Sequence, residues 1–187
     1  SGDTTFTLEL MKQWVTKYQQ QTNRIATELK RSSIPETVEN IYNFLFHHMQ
    51  YYADGYKQNL RSPACSWASR QKGIDCKSYS LFAGSILKNL NIPFKFRKIT
   101  QSQSPDVWSH VYVVIPFENQ ELVIDATKKV NVEPNYIKKF DMPVNLPHYG
   151  LNGEANTTVL SERDELMIHA IKNFKVLGTC KELPMPV

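Results

Sequence analysis

The sequence predicts an α+β fold. Three segments in the first half repeat apolar residues at the three- and four-residue steps of a helix face, and after Pro93 the repeat changes to the two-residue alternation of strands. Helices followed by strands, rather than strict alternation, argue for α+β over a parallel α/β sheet. The 187 residues, 41% hydrophobic and 21% charged, suit a single domain over 1–187 and exclude a disordered chain. Seven Gly and ten Pro exclude collagen-like and low-complexity classes. The net charge of +4 is too small to argue for a nucleic-acid partner. No apolar run approaches the roughly 18 residues of a membrane span.

The start, Ser1-Gly2-Asp3, has neither an initiator Met nor a signal-peptide pattern, and Ser1-Gly2 has the form of a cloning scar. The compartment is therefore not read from the N-terminus. A helix is expected over 6–30, with Met11, Trp14, Val15, Tyr18, Ile25 and Leu29 on its apolar face. Ser33-Ile34-Pro35-Glu36 reads as a capping box opening a second helix. Its stripe is Val38, Ile41, Tyr42, Leu45, Phe46 and Met49, and its expected end is Asp54-Gly55. Residues 56–72 read as a loop with a short helical turn. A third helix follows Gly73-Ile74-Asp75-Cys76 and stops at Asn91-Ile92-Pro93, because Pro disfavours a helical residue before it. Phe94, Phe96 and Ile99 then alternate with basic residues. His110–Ile115 and Glu121–Asp125 are β-branched strand candidates joined at hairpin length by 116–120. Residues 131–160 are rich in Pro and Asn, with Tyr136 and Phe140 expected as anchors, and 161–177 fit neither period.

Cys76 is the informative residue. A thiol at a helix start meets unpaired backbone N–H groups and the positive end of the helix dipole, both of which favour thiolate. Asp75 is the expected N-cap, with a charge that opposes the effect. His110 opens one strand and Asp125 closes the other. A hairpin centred at 117–118 sets them opposite each other and within hydrogen-bond reach, whereas a one-residue slip puts them on opposite faces. The roles are then nucleophile for Cys76, base and later acid for His110, and orienting carboxylate for Asp125. The oxyanion needs donors, for which the Cys76 backbone N–H, Trp67 and Gln71 are candidates, although Trp67 serves equally well as packing.

Residues 36–128 resemble the transglutaminase-like domain of the papain-like cysteine enzyme superfamily. The matching pieces are the helix Val38–Tyr52, then Arg61-Ser62-Pro63, Gly73-Ile74-Asp75-Cys76, Asn91-Ile92-Pro93, Trp108-Ser109-His110-Val111-Tyr112-Val113 and Val123-Ile124-Asp125-Ala126-Thr127. The resemblance implies a papain-like/transglutaminase-like core with the nucleophile-bearing helix packed on a small antiparallel sheet. It implies a triad of Cys76, His110 and Asp125 acting on protein or peptide carboxamides through a thioester. It covers about half the chain, leaving the N-terminal helix and an extension over 129–187 outside. Some family members have lost catalysis, so a protein-binding or structural domain is the competing expectation. Some animal cross-linkers in the family use calcium, but no acidic loop here has ligands at ordered spacing, and no cofactor is expected.

Water or an amine can accept the acyl group, giving hydrolysis or cross-linking. An apolar tunnel walled by Trp108 or Trp67 would favour an amine. A third reading, a metal held by Cys65, Cys76 and His47 or His48, lacks paired ligand spacing. Cys65 and Cys180 are free to pair or not, and a Cys65–Cys76 bond would block the nucleophile. The free thiol favours a reducing compartment. His148 and His169 have no evident partner.

Overall fold

In a computed structural model, residues 4–55, 58–144 and 179–184 are described. Five helices are built on them: α1 Thr4–Tyr18, α2 Asn23–Leu29, α3 Ile34–His48, α4 Pro63–Ala68 and α5 Cys76–Asn89. Six strands complete the set: β1 Asn59–Arg61, β2 Phe94–Gln101, β3 Ser104–Phe117, β4 Gln120–Ile124, β5 Lys138–Val144 and β6 Glu182–Pro184. The architecture is α+β, with an antiparallel four-stranded sheet in the order β4-β3-β2-β5 and a separate β1-β6 pair. No helix among the described residues is long and apolar enough to cross a membrane.

Helix α5 lies at the centre. Every residue from Lys77 through Lys88 is buried, and α1, α2, α3, α4 and β3 all pack against it. A Cβ at Gly84 would meet the Phe94 ring at 2.9 Å and the Phe96 ring at 3.2 Å, so this glycine lets the helix approach β2. α5 ends as expected, with Asn91 at φ 55° and the Ile92 N–H donating to Leu87 O. Asn tolerates that left-handed conformation better than most residues.

The helix expected over 6–30 is broken. A 3-10 turn at Gln19–Thr22 separates α1 from α2. Asn89 of α5 donates to Gln19 O at 2.7 Å and to Thr22 Oγ1 at 2.9 Å, and Gln21 Oε1 accepts from the Ala64 N–H. These distant partners hold the polar stretch in place of a continuous helix. The capping box at Ser33 and Glu36 is present, but α3 stops at His48, well before Asp54-Gly55. The chain instead extends, and Tyr51 forms a parallel bridge with Ile74. The expected loop over 56–72 contains β1 and α4, the latter capped by Ser62.

The β3–β4 hairpin turns one residue later than expected. Val113 pairs with Ile124 and Phe117 with Gln120, leaving a two-residue turn with Glu118 at φ 51°. Pro116 sits within the ladder opposite Glu121 instead of in the loop. β5 joins the sheet from the Pro- and Asn-rich stretch, beyond the expected core limit at 128. It is clamped by Arg97, which is 1% exposed and binds both Asp141 oxygens at 2.7 Å. Tyr136 and Phe140 are surface residues, not buried anchors. Residues 161–177, His148 and His169 lie outside the described residues.

Candidate active site

Cys76 is the first residue of α5, is partly buried and is the free cysteine among the described residues. Its backbone N–H belongs to the helix turn that lacks intrahelical acceptors. Asp75 is the N-cap, accepting from the Ser78 N–H at 3.0 Å and the Ser78 hydroxyl at 2.7 Å. Its other oxygen is ion-paired with the Lys77 ammonium, which balances the opposing charge expected beside the thiol. Lys77 also donates to Gln58 Oε1 at 2.5 Å.

The corner leading to Cys76 is assembled from distant segments. Gly73 has φ +100°, and a Cβ there would meet Tyr52 Cβ at 2.4 Å, so the chain passes Tyr52 only because this residue is glycine. Cys65 is disulfide-bonded to Cys180, which leaves Cys76 unblocked and removes Cys65 from any metal-ligand set. Disulfides belong to oxidising compartments, against the weight that a free thiol lends to a reducing one. Lys181 O accepts from the Ser62 N–H, and Glu182 pairs with Arg61, which also reaches Asp54. Asp54 O accepts from Gln58 Nε2, so polar contacts run from the disulfide to the start of α5.

His110 is buried and its Nε2 is 2.7 Å from Asp125 Oδ2. The Cys76 side chain lines the same cleft as His110 and acts on the ring electrostatically. The second Asp125 oxygen accepts from the Thr127 hydroxyl at 2.6 Å and the Thr127 N–H at 3.3 Å. The observed register differs from the expected one by two residues, so Asp125 follows the end of β4 and lies diagonal to His110. Because the side-chain period is two, both still share a face. In the β2–β3 ladder, Ile99 pairs with His110 and Thr100 with Trp108, so a bulge falls at Ser109. Bulges bend the strand and re-aim neighbouring side chains.

Burial opposes charge on His110. The hydrogen bond that His110 donates to Asp125, and the negative charges of Asp125 and Cys76, outweigh it and raise the imidazole pKa to about 9. His110 is therefore held as imidazolium at neutral pH, bonded to the Asp125 carboxylate with the Cys76 sulfur in the same cleft.

A cleft of about 340 Å³ opens onto Cys76 and His110, walled by Thr7 and Leu8 of α1, Gln58 and Trp108. Trp108 is thus at the site as expected, its ring 4.5 Å from Lys98 Nζ. Trp67 instead stacks on Phe44 at 5.7 Å with the Arg70 guanidinium over its ring, and Gln71 is exposed in the turn after α4; both lie outside the cleft lining. Thr127, Gln58 and the α1 wall were missed by sequence reasoning. Only Thr127 carried a local signal, since an Asp followed two residues later by Thr is a common side-chain-to-backbone turn. His48 Nδ1 is 2.8 Å from Phe44 O, a structural bond within α3.

No protein-family model, curated protein or solved structure matches the chain.

Proposed function

We propose that the protein is a thiol-dependent acyl-transfer enzyme of the transglutaminase-like, papain-like type, acting on protein or peptide carboxamides. The observation that carries this reading is the His110–Asp125 hydrogen bond with His110 and Cys76 lining one cleft. An antiparallel sheet against a central helix with cysteine at its N-terminus supports the papain-like assignment.

In this mechanism the Cys76 thiolate attacks the carbonyl carbon and the carbonyl electron pair moves to oxygen. The Cys76 backbone N–H stabilises that oxyanion. The carbonyl re-forms, the C–N bond breaks, and the amine leaves with the proton from His110. Asp125 keeps the ring oriented and stabilises its charged form. Neutral His110 then takes a proton from water or an acceptor amine as it attacks the thioester, which releases acid or a new amide and restores the thiolate–imidazolium pair.

The test uses p-nitrophenyl acetate, which needs no substrate-specific recognition. Nitrophenolate release should accompany acetylation of Cys76, mapped by mass spectrometry. Cys76→Ala should abolish it, and His110→Ala should slow it by about a hundredfold. Discharge of the acyl group by water or by added glycine ethyl ester separates hydrolysis from cross-linking. Wild-type acylation no faster than that of His110→Ala would contradict the enzyme reading and favour a protein-binding role.

A further inference from the structure

Lys98 lies on β2, in the interior of the sheet, opposite Val111 of β3 on one side and Phe140 of β5 on the other. Directly opposed residues of paired strands share a face, so Lys98 and Val111 point the same way, and both line the cleft that holds Cys76 and His110. Lys98 is 5% exposed. Its ammonium stands 4.5 Å from the centre of the Trp108 ring, itself part of the cleft wall, and 4.8 Å from that of Phe140. The charged head, and not the stem alone, is thus placed at the wall. Lys77 and His110 are the other cationic side chains in the lining, and their carboxylate partners, Asp75 and Asp125, lie outside it. Among the described residues, no carboxylate lines the cleft.

Resting on the acyl-transfer reading above, we propose that the acyl donor is an acidic peptide, and that Lys98 selects it by pairing with a carboxylate near the attacked carboxamide. A concave wall carrying one sign of charge focuses its field on whatever enters. The faces of Trp108 and Phe140 hold the ammonium in place and keep bulk water from it. Charges attract more strongly away from bulk water, so a carboxylate entering beside these rings gains more than it would at an open surface. An ammonium is a point charge with three N–H donors, and it takes a carboxylate without demanding one fixed approach. The same wall disfavours a donor with Lys or Arg beside its attacked carbonyl.

Two esters that differ in charge test this. Mono-p-nitrophenyl adipate carries a carboxylate on its acyl chain, and its methyl ester is the neutral counterpart. The rate at which each acylates Cys76 is divided by its rate with free cysteine, which removes intrinsic reactivity. The wild-type protein should favour the adipate by about tenfold at low salt. Lys98→Met keeps an unbranched stem against the two rings without the charge, and it should abolish the preference. Equal wild-type rates for the two esters would overturn the proposal, as would a preference that Lys98→Met retains. Salt reads the same pairing without a variant: the wild-type preference should shrink as ionic strength rises, and a preference indifferent to salt would contradict a charge pairing. Failure of the underlying enzyme reading shows separately, as wild-type acylation by p-nitrophenyl acetate no faster than that of His110→Ala.

Discussion

The candidate site joins two parts of the molecule that are held in different ways. His110 and Asp125 arrive on one hairpin, fifteen residues apart, and their bond depends on a ladder closed by a two-residue turn. Cys76 arrives on a corner drawn from Met49–Tyr52, β1, α4 and β6, with a disulfide spanning 115 residues. The base is positioned by local pairing and the nucleophile by long-range contacts. Perturbing the long-range contacts should therefore move the thiol and spare the His–Asp pair.

The largest expected effect comes from the disulfide. Cys180→Ser should cost about 2–4 kcal/mol of stability, since a cross-link between distant residues restrains the unfolded chain. It should also release β6 from β1 and loosen the chain of contacts through Asp54 and Gln58 to Lys77. Denaturant unfolding and Cys76 acylation rates read the two consequences. The amide signals of β3 and β4 should stay in place; a shift across the hairpin would show that the two parts are not separable.

A smaller effect should follow Thr127→Val, which removes the hydroxyl donating to Asp125 Oδ1 at 2.6 Å. A hydrogen bond to a charged group contributes about 1.5–3 kcal/mol. Stability should fall by that order, with slower acylation by p-nitrophenyl acetate. The C-terminal pairing should be untouched, read as unchanged reactivity of the Cys65–Cys180 bond toward dithiothreitol. Faster reduction would break the proposed separation.

The same contrast explains what was legible in the sequence. The change of period after Pro93, the capping box at Ser33 and the stop at Asn91 are local signals, and each is found in the structure. The hairpin was legible in outline. Its turn was displaced because Pro116 fits the ladder, yet a two-residue shift preserves the face that His110 and Asp125 share. The break at Gln19–Thr22, the early end of α3 and the pairing of β5 depend on Asn89, Ile74 and Arg97, which are distant in sequence. No periodicity reports such partners. The stacking of Trp67 on Phe44 with Arg70 over its ring is likewise a tertiary fact.

Asp125 and Cys76 together hold His110 as imidazolium, and titration of its ring by NMR tests this most directly. The raised pKa of about 9 means that protonated His110 stabilises the fold fully below its ordinary value of about 6.5. That contribution is lost as pH rises through about 9. The ring should carry protons on both nitrogens at neutral pH and titrate near 9, and Asp125→Asn should lower that midpoint. A midpoint near 6.5, unchanged by Asp125→Asn, would contradict it.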